Sequence, residues 1–333
     1  MNGWGAVVIG LGLFVSACSP QVTVTDNGTT PTLDAPRVAE TGPGTQTTTP
    51  GSTTSASSMV SSDSGAPTAA PAVSSTEAPK PASSASTTTG LDPGPAIRTP
   101  LVGSFTVEIV ASHPHDPTSY TQGLELHEGR LLESTGRRGQ STRRWVDPET
   151  GSVELVQPLP DDLFGEGITV VDDEIFQLTW TSGQLLVADL EALELTRVLT
   201  YAGEGWGLCF DGEHLVMSNG SSQLTERDPT TFAVVRTIDV QLNGSPLNAL
   251  NELECIGDQV LANVYRVDQI VAIDQDSGNV DAVIDASPLR PPELPIGDVD
   301  YALNGIAHDA STGRYLMTGK LWPVLYEVEL VAQ

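Results

Sequence analysis

Basic residues are scarce in this 333-residue chain, where 15 Lys and Arg stand against 43 Asp and Glu for a formal net charge of −28. A surface of that sign repels phosphate backbones, so nucleic acid is excluded as a partner. Aromatic residues amount to 5% and are absent from residues 19–100, a stretch that therefore lacks the means to build a core. Cysteine occurs only as Cys18, Cys209 and Cys255, too few for a disulfide scaffold. There is no sustained helical period, no Gly-rich phosphate loop and no Gly-X-Ser-X-Gly elbow, which removes helical bundles, nucleotide-binding folds and elbow hydrolases. No His, Cys and acidic residues have metal-ligand spacing; His113 and His115, on either side of Pro114, read as an exposed loop pair. No metal or cofactor is expected.

What is present divides into three parts. Residues 1–18 contain an apolar run, Ala6 to Val15, too short for a membrane span, that ends in Val15-Ser16-Ala17-Cys18. This ending resembles a bacterial lipobox, with Cys18 as the lipidated residue, and an ordinary secretory signal is the alternative. Both imply export; the first implies anchoring to the outer face of the cell membrane, touched only through the lipid. Residues 19–100 are mostly Thr, Ser, Ala, Pro and Gly and read as a disordered tether. Residues 101–333 form the folded domain, expected to be monomeric. Removing the six acidic and three basic residues of the first hundred leaves 37 and 12, a net charge near −25 for this domain. Its field favours cations, a peptide's N-terminal ammonium among them.

Within the domain, five segments read alike: Gln122-Gly123-Leu124, Glu166-Gly167-Ile168, Trp206-Gly207-Leu208, Asn251-Glu252-Leu253 and Asn304-Gly305-Ile306. Their first residues are 44, 40, 45 and 53 positions apart, and each is followed by a turn and two or three strand-like runs. A period of this length made of strands predicts an all-β fold, a five-bladed β-propeller with the leading residue of each triplet facing the axis. The last unit is one strand short, and Phe105 to Val110 supplies an orphan strand, so the N-terminal strand is expected to close the ring. The longest gap holds the proline-rich Pro288 to Pro295, which either walls a site or serves as a rigid crossover. Cys209 and Cys255 each precede a leucine, Leu215 and Leu261, by six residues. Equivalent positions in successive blades point the same way, so two free thiols are expected.

Glu166, between Gly165 and Gly167 and near Trp180 and Trp206, is the first candidate for chemistry. Partial desolvation would raise its pKa toward the range useful for proton transfer. Lys320, in Thr318-Gly319-Lys320-Leu321-Trp322-Pro323, could stabilise an oxyanion, or be no more than a salt-bridged lysine.

These segments, with Thr121-Gln122-Gly123-Leu124, Glu133-Ser134-Thr135-Gly136, Gln177-Leu178-Thr179-Trp180 and Leu250-Asn251-Glu252-Leu253-Glu254, resemble the plant-type glutaminyl cyclases, or glutamine cyclotransferases, over nearly all of residues 104–330. The resemblance implies conversion of an N-terminal glutamine to pyroglutamate with release of ammonia, the partner being a peptide or protein N-terminus bearing Gln. It makes Glu166 the proton carrier and sets Gln122, Asn251 and Lys320 around the reacting amide. Trp180 and Trp206 become the aromatic wall, with Phe164 and Asn304 beside the substrate. Tyr120 and Tyr265 stand where the resemblance leads us to expect Phe and Trp, which bears on pocket shape. A non-catalytic surface propeller binding peptides or cell-wall components is the competing reading, and a metal-dependent propeller hydrolase a third.

Overall fold

The structure, a computed structural model, describes residues 99–333. The apolar run, Cys18 and all but the last two residues of the expected tether lie outside the described residues.

Beyond two single-turn 3-10 segments, Ser287–Leu289 and Val299–Tyr301, every regular element is a strand. β1 is Gly103–Pro114. A first antiparallel sheet comprises β2 (Thr121–His127), β3 (Arg130–Thr135), β4 (Thr142–Val146) and β5 (Val153–Pro158). A second comprises β6 (Gly165–Val171), β7 (Glu174–Thr179), β8 (Gln184–Asp189) and β9 (Leu195–Thr200), and a third β10 (Leu208–Phe210), β11 (Leu215–Met217), β12 (Gln223–Arg227) and β13 (Val234–Asp239). A short hairpin, β14 (Gln241–Leu242) with β15 (Ser245–Pro246), precedes β16 (Leu250–Ile256), β17 (Gln259–Val264), β18 (Gln269–Asp274) and β19 (Val280–Asp285). The last strands are β20 (Leu303–His308), β21 (Tyr315–Gly319) and β22 (Val324–Ala332). β1 pairs antiparallel with β22 and parallel with β19, which fuses the last two sets into one eight-stranded sheet.

Turn chemistry sets the strand lengths. Asp147, Asp189, Asp228 and Asp274 each close the third strand of a set by accepting the backbone N–H three residues on, at 2.7–2.8 Å. A short side chain that captures nearby amides is why Asp recurs there. Outer strands β5 and β9 are largely exposed, whereas β6, β7 and β17 are buried nearly throughout.

The core lies between neighbouring sheets. One cluster joins Leu132 and Trp145 to Ile168 and Ile175, the next Phe176 and Leu178 to Leu208 and Phe232, the next Val216 and Leu224 to Leu253 and Ile273. Further clusters join Leu261 and Ile284 to Ile306 and Trp322, and Leu316 and Leu325 back to Leu124 and Leu131. First strands follow the same order: β2 touches β6, β6 touches β10, β10 touches β16, β16 touches β20 and β20 touches β2. Such convergence leaves no room for a side chain at the centres of the first three triplets, Gly123, Gly167 and Gly207. A Cβ on Gly167 would stand 2.5 Å from the Leu208 nitrogen, and one on Gly207 2.1 Å from the Asn251 oxygen. The fourth triplet has Glu252 at this place, and its carboxyl accepts the N–H groups of Ile306, at 2.9 Å, and Leu124, at 3.3 Å.

The expectation of free thiols is overturned, because Cys209 and Cys255 form a disulfide with Cα atoms 5.5 Å apart. Leu215 and Leu261 are not equivalent anchors. Leu215 pairs with Phe210, next after Cys209, while Leu261 pairs with Glu254, just before Cys255. Counted from the triplet heads, Cys209 follows Trp206 by three residues and Cys255 follows Asn251 by four. A one-residue offset turns a strand side chain to the opposite face. The two sulfurs therefore meet between β10 and β16.

Candidate active site

The triplet heads come together. Gln122 and Glu166 are 3% and 4% exposed, Asn251 3%, Asn304 0% and Lys320 3%. Glu166 is held on β6 by its backbone, where its carbonyl accepts Ser134 Oγ at 2.5 Å. Its flanking glycines are forced by close approach; a Cβ on Gly165 would stand 2.7 Å from the Thr135 carbonyl oxygen. Gln122 bridges the two charged groups. Its Oε1 accepts from Lys320 Nζ, and its amide hydrogen-bonds the Glu166 carboxyl. Asn304 Nδ2 donates to the Thr121 carbonyl at 3.1 Å and approaches Gln122 Oε1 at 3.5 Å, and among the described residues no donor reaches its buried Oδ1. Asn251 lies on the same ring, but among the described residues no side-chain hydrogen bond ties it to this set.

Lys320 occupies a turn clamped from behind. Its N–H donates to the Ala302 carbonyl, at 2.9 Å, and the next N–H, from Leu321 at φ 58°, to the Ser119 carbonyl at 2.7 Å. His115 Nδ1 donates to the Trp322 carbonyl at 2.8 Å, and its Nε2 to Glu133 at 3.2 Å. Glu133, fully buried, also accepts from Ser119 Oγ, Thr121 Oγ1 and Arg144 Nε at 2.8–2.9 Å. Burial would raise the Glu133 carboxyl, yet His115 and Arg144 hold it well below the usual carboxylate range. Burial works against charge on His115 too, but Glu133 outweighs it and the imidazole pKa is raised. The expected exposed loop pair is thus corrected: His115 is a buried strut. Sequence offered no signal for this, because Glu133, Arg144 and the Lys320 turn converge only after folding.

An aromatic collar surrounds the polar set. Tyr120 packs edge-on against Phe164 at 6.1 Å between centroids, Phe164 against Trp180 at 5.6 Å, and Trp206 against Tyr265 at 5.5 Å. Lys320 Nζ lies 4.8 Å from the Tyr120 ring centroid and 5.5 Å from that of Tyr265. The remaining gap is spanned by Glu204, absent from the expected set, whose Oε2 accepts Trp180 Nε1 at 2.7 Å and Trp206 Nε1 at 3.0 Å. Asp300, from the segment between β19 and β20, pairs with Arg137 at 3.2 Å, and Arg137 covers Tyr120 with its guanidinium 4.4 Å from the ring centroid. The connection between β19 and β20 therefore contributes to the rim through Asp300, which lies beyond the proline-rich Pro288 to Pro295.

Electrostatics follow from this burial. Desolvation raises the Glu166 carboxyl well above its ordinary value; Glu204 adds to the rise, while Lys320 and Gln122 oppose it. Desolvation lowers Lys320 to about 8 against the pull of Glu166 and Asp300. In both groups burial outweighs mutual attraction, which raises the Glu166 carboxyl and brings Lys320 to about 8.

Residues 82–330 match the family profile described as glutamine cyclotransferase. A curated glutaminyl-peptide cyclotransferase of Arabidopsis thaliana is 40% identical over 229 residues, 67% of this chain and 71% of that protein. The crystal structure of Myxococcus xanthus glutaminyl cyclase is similar with a TM-score of 0.64 and 36% identity, covering 70% of this chain and 98% of that one. A buried carboxyl, a buried lysine and an aromatic collar, on a chain matched over this length, place the protein in the glutamine cyclotransferase family.

Proposed function

We infer that the domain is a glutaminyl-peptide cyclotransferase, closing the N-terminal glutamine of a peptide or protein to pyroglutamate with release of ammonia. The observation that carries this reading is the buried Glu166, joined through Gln122 to Lys320 inside the collar. Family membership favours it over a non-catalytic peptide-binding module.

In the reaction the neutral α-amine attacks the side-chain carbonyl carbon of its own residue. A C–N bond forms as the carbonyl π pair moves to oxygen. Glu166 takes the proton from the attacking nitrogen and delivers it to the departing one, and the old C–N bond breaks to free ammonia. A positioned acid–base group of this kind is worth roughly 10²- to 10⁴-fold. Its raised pKa suits the task, since a strongly acidic carboxyl would be too weak a base to take the proton from the attacking nitrogen. Lys320 donates to the oxygen as it gains charge, exchanging its bond to Gln122 for one to substrate. Asn304 Oδ1 offers an acceptor to the substrate's N–H groups. The collar folds the glutamine side chain toward its own amine and excludes water, so that orientation supplies much of the rate.

The five-bladed propeller remains our reading of the architecture, supported by the cycle of first-strand contacts and by core clusters that bridge each neighbouring pair of strand sets. Export with lipid attachment at Cys18, a tether before the domain and a monomeric state are proposed on the sequence alone. Ammonia release from a short peptide beginning with Gln, with a product lighter by one ammonia, tests the activity. A folded domain that leaves several such peptides unchanged would return the choice to the binding module.

A further inference from the structure

Glu204 is not a triplet residue and lies outside the set that the reaction uses, yet it is the piece that completes the collar. One oxygen, Oε2, receives both indole N–H groups, from Trp180 at 2.7 Å and from Trp206 at 3.0 Å. The two tryptophans come from different places: Trp180 follows β7 in the second sheet, and Trp206 leads the third triplet. An indole has a single donor and a flat body, so anchoring both donors on one atom fixes the spacing and tilt of two walls together. Trp180 is in turn held edge-on by Phe164 and Trp206 by Tyr265. Among the described residues no hydrogen bond reaches the second oxygen, Oε1.

A carboxylate used only to receive two neutral N–H groups is more than the geometry needs, because an amide or backbone carbonyl would serve. What an amide lacks is charge, and that charge stands where it acts on Glu166. The groups facing Glu166 are Lys320 from the turn after β21, Gln122 from β2, Tyr201 from the end of β9, Tyr265 after β17, and Glu204. Lys320 is the sole cation among them and Glu204 the sole other carboxylate.

We propose that Glu204 is a positioning residue for the cyclisation: its Oε2 clamps both tryptophan walls, and its carboxylate puts a second negative charge in the site that holds Glu166. The proposal rests on the reading of Glu166 as proton carrier. It assigns two separable duties to one side chain. The clamp shapes the space around the glutamine side chain and governs substrate binding. Like-charge proximity strengthens Glu166 as a base toward the attacking amine, because a carboxyl that ionised too readily would be too weak a base to take the proton that must pass to the departing ammonia.

Two substitutions separate the duties. In Glu204→Gln the amide oxygen can still accept both indoles while the charge is gone; in Glu204→Ala both are lost. In Glu204→Gln the acid limb of the kcat profile should move to lower pH by about one unit, the scale of a removed like charge in a protein interior, with KM little changed. Glu204→Ala should show the same shift plus a rise in KM of about tenfold or more and a red-shifted tryptophan emission, as the indoles lose their anchor. A Glu204→Gln profile superimposable on the wild type would overturn the electrostatic half, and unchanged KM and emission in Glu204→Ala would overturn the clamp. Titration of the Glu166 carboxyl by carbon NMR, identified by its loss in Glu166→Gln, reads the same shift without turnover. A shifted titration without any cyclisation would therefore sustain the pairing of the two carboxyls while refuting the reaction itself.

Discussion

Lys320 Nζ donates to Oε1 of Gln122, a residue 198 positions earlier in the chain. That oxygen is also approached by Asn304 Nδ2 at 3.5 Å. A carbonyl ringed by an ammonium and an amide is what the substrate's own carbonyl would meet on entering. Gln122 thereby satisfies a buried cation in the empty site and can release it with little rearrangement. Replacing Lys320 by Ala should lower kcat by about 10²- to 10³-fold, the range for loss of an oxyanion donor, with a smaller effect on KM. Initial-rate kinetics on a Gln-initiated peptide check this; a change confined to KM would make Lys320 a ground-state binder.

Substitution of Glu166 by Gln removes the proton carrier while keeping shape and hydrogen-bonding capacity. We expect turnover to fall by about 10²- to 10⁴-fold, with circular dichroism and Tm close to wild type. Loss of structure along with activity would point to a role in the fold, because the backbone carbonyl of residue 166 that Ser134 Oγ bonds is unchanged in this variant.

The disulfide between Cys209 and Cys255 ties β10 to β16 and closes a sequence separation of 46. Intact protein should resist alkylation even in denaturant until reductant is added. Replacing both cysteines by Ser should then cost about 2–4 kcal/mol, the usual range for a bridge of this kind, read as a lower midpoint in urea. Alkylation of unreduced, unfolded protein at both positions would refute the bond.

Stability should peak in mildly acidic solution. Glu252, buried, and Glu125 and Glu254, half-buried, are raised chiefly by desolvation, Glu125 from 4.5 to about 7. A raised carboxyl holds its proton more tightly when folded, so its contribution is complete below the ordinary value and is lost as pH rises through the folded one. For Glu125 the loss falls between about pH 4.5 and 7 and, with some solvent contact remaining, amounts to about 1–3 kcal/mol. Glu133 has the opposite sign; its stabilisation is present above the ordinary carboxylate value and lost only as strong acid protonates it. Urea unfolding from pH 4 to 9 should therefore show a decline on the alkaline side, flattened by Glu125→Gln. A stability that rises steadily through neutral pH would contradict this.

The inner ring was legible because its spacing is imposed by packing. Glycine at 167 and 207 is required by neighbouring backbone, so the triplets stand out in the sequence and lead directly to Gln122, Glu166 and Asn304. Cys209 and Cys255 were misread because a hairpin two residues longer in one set than in the other moved the leucine used as a ruler. Glu204 lies in an irregular segment and Asp300 in a single 3-10 turn, and no strand periodicity records the course of either. Glu133 is a buried charge whose partners, His115 and Arg144, come from separate strands or loops, and nothing in its own neighbourhood distinguishes it from a surface glutamate.

The pairing of β1 with β22 has a consequence for the order in which the chain can assemble. Register between Phe105 and Ala332 joins residues almost at opposite ends of the described chain, so that contact waits until the last described strand has been made. Before then, β1 and β21 each lack a neighbour that they have in the finished sheet. The nascent domain therefore carries two unpaired strand edges until β22, nine residues long, emerges to sit between them. Deleting β22 should leave those edges free to polymerise with other copies of the chain.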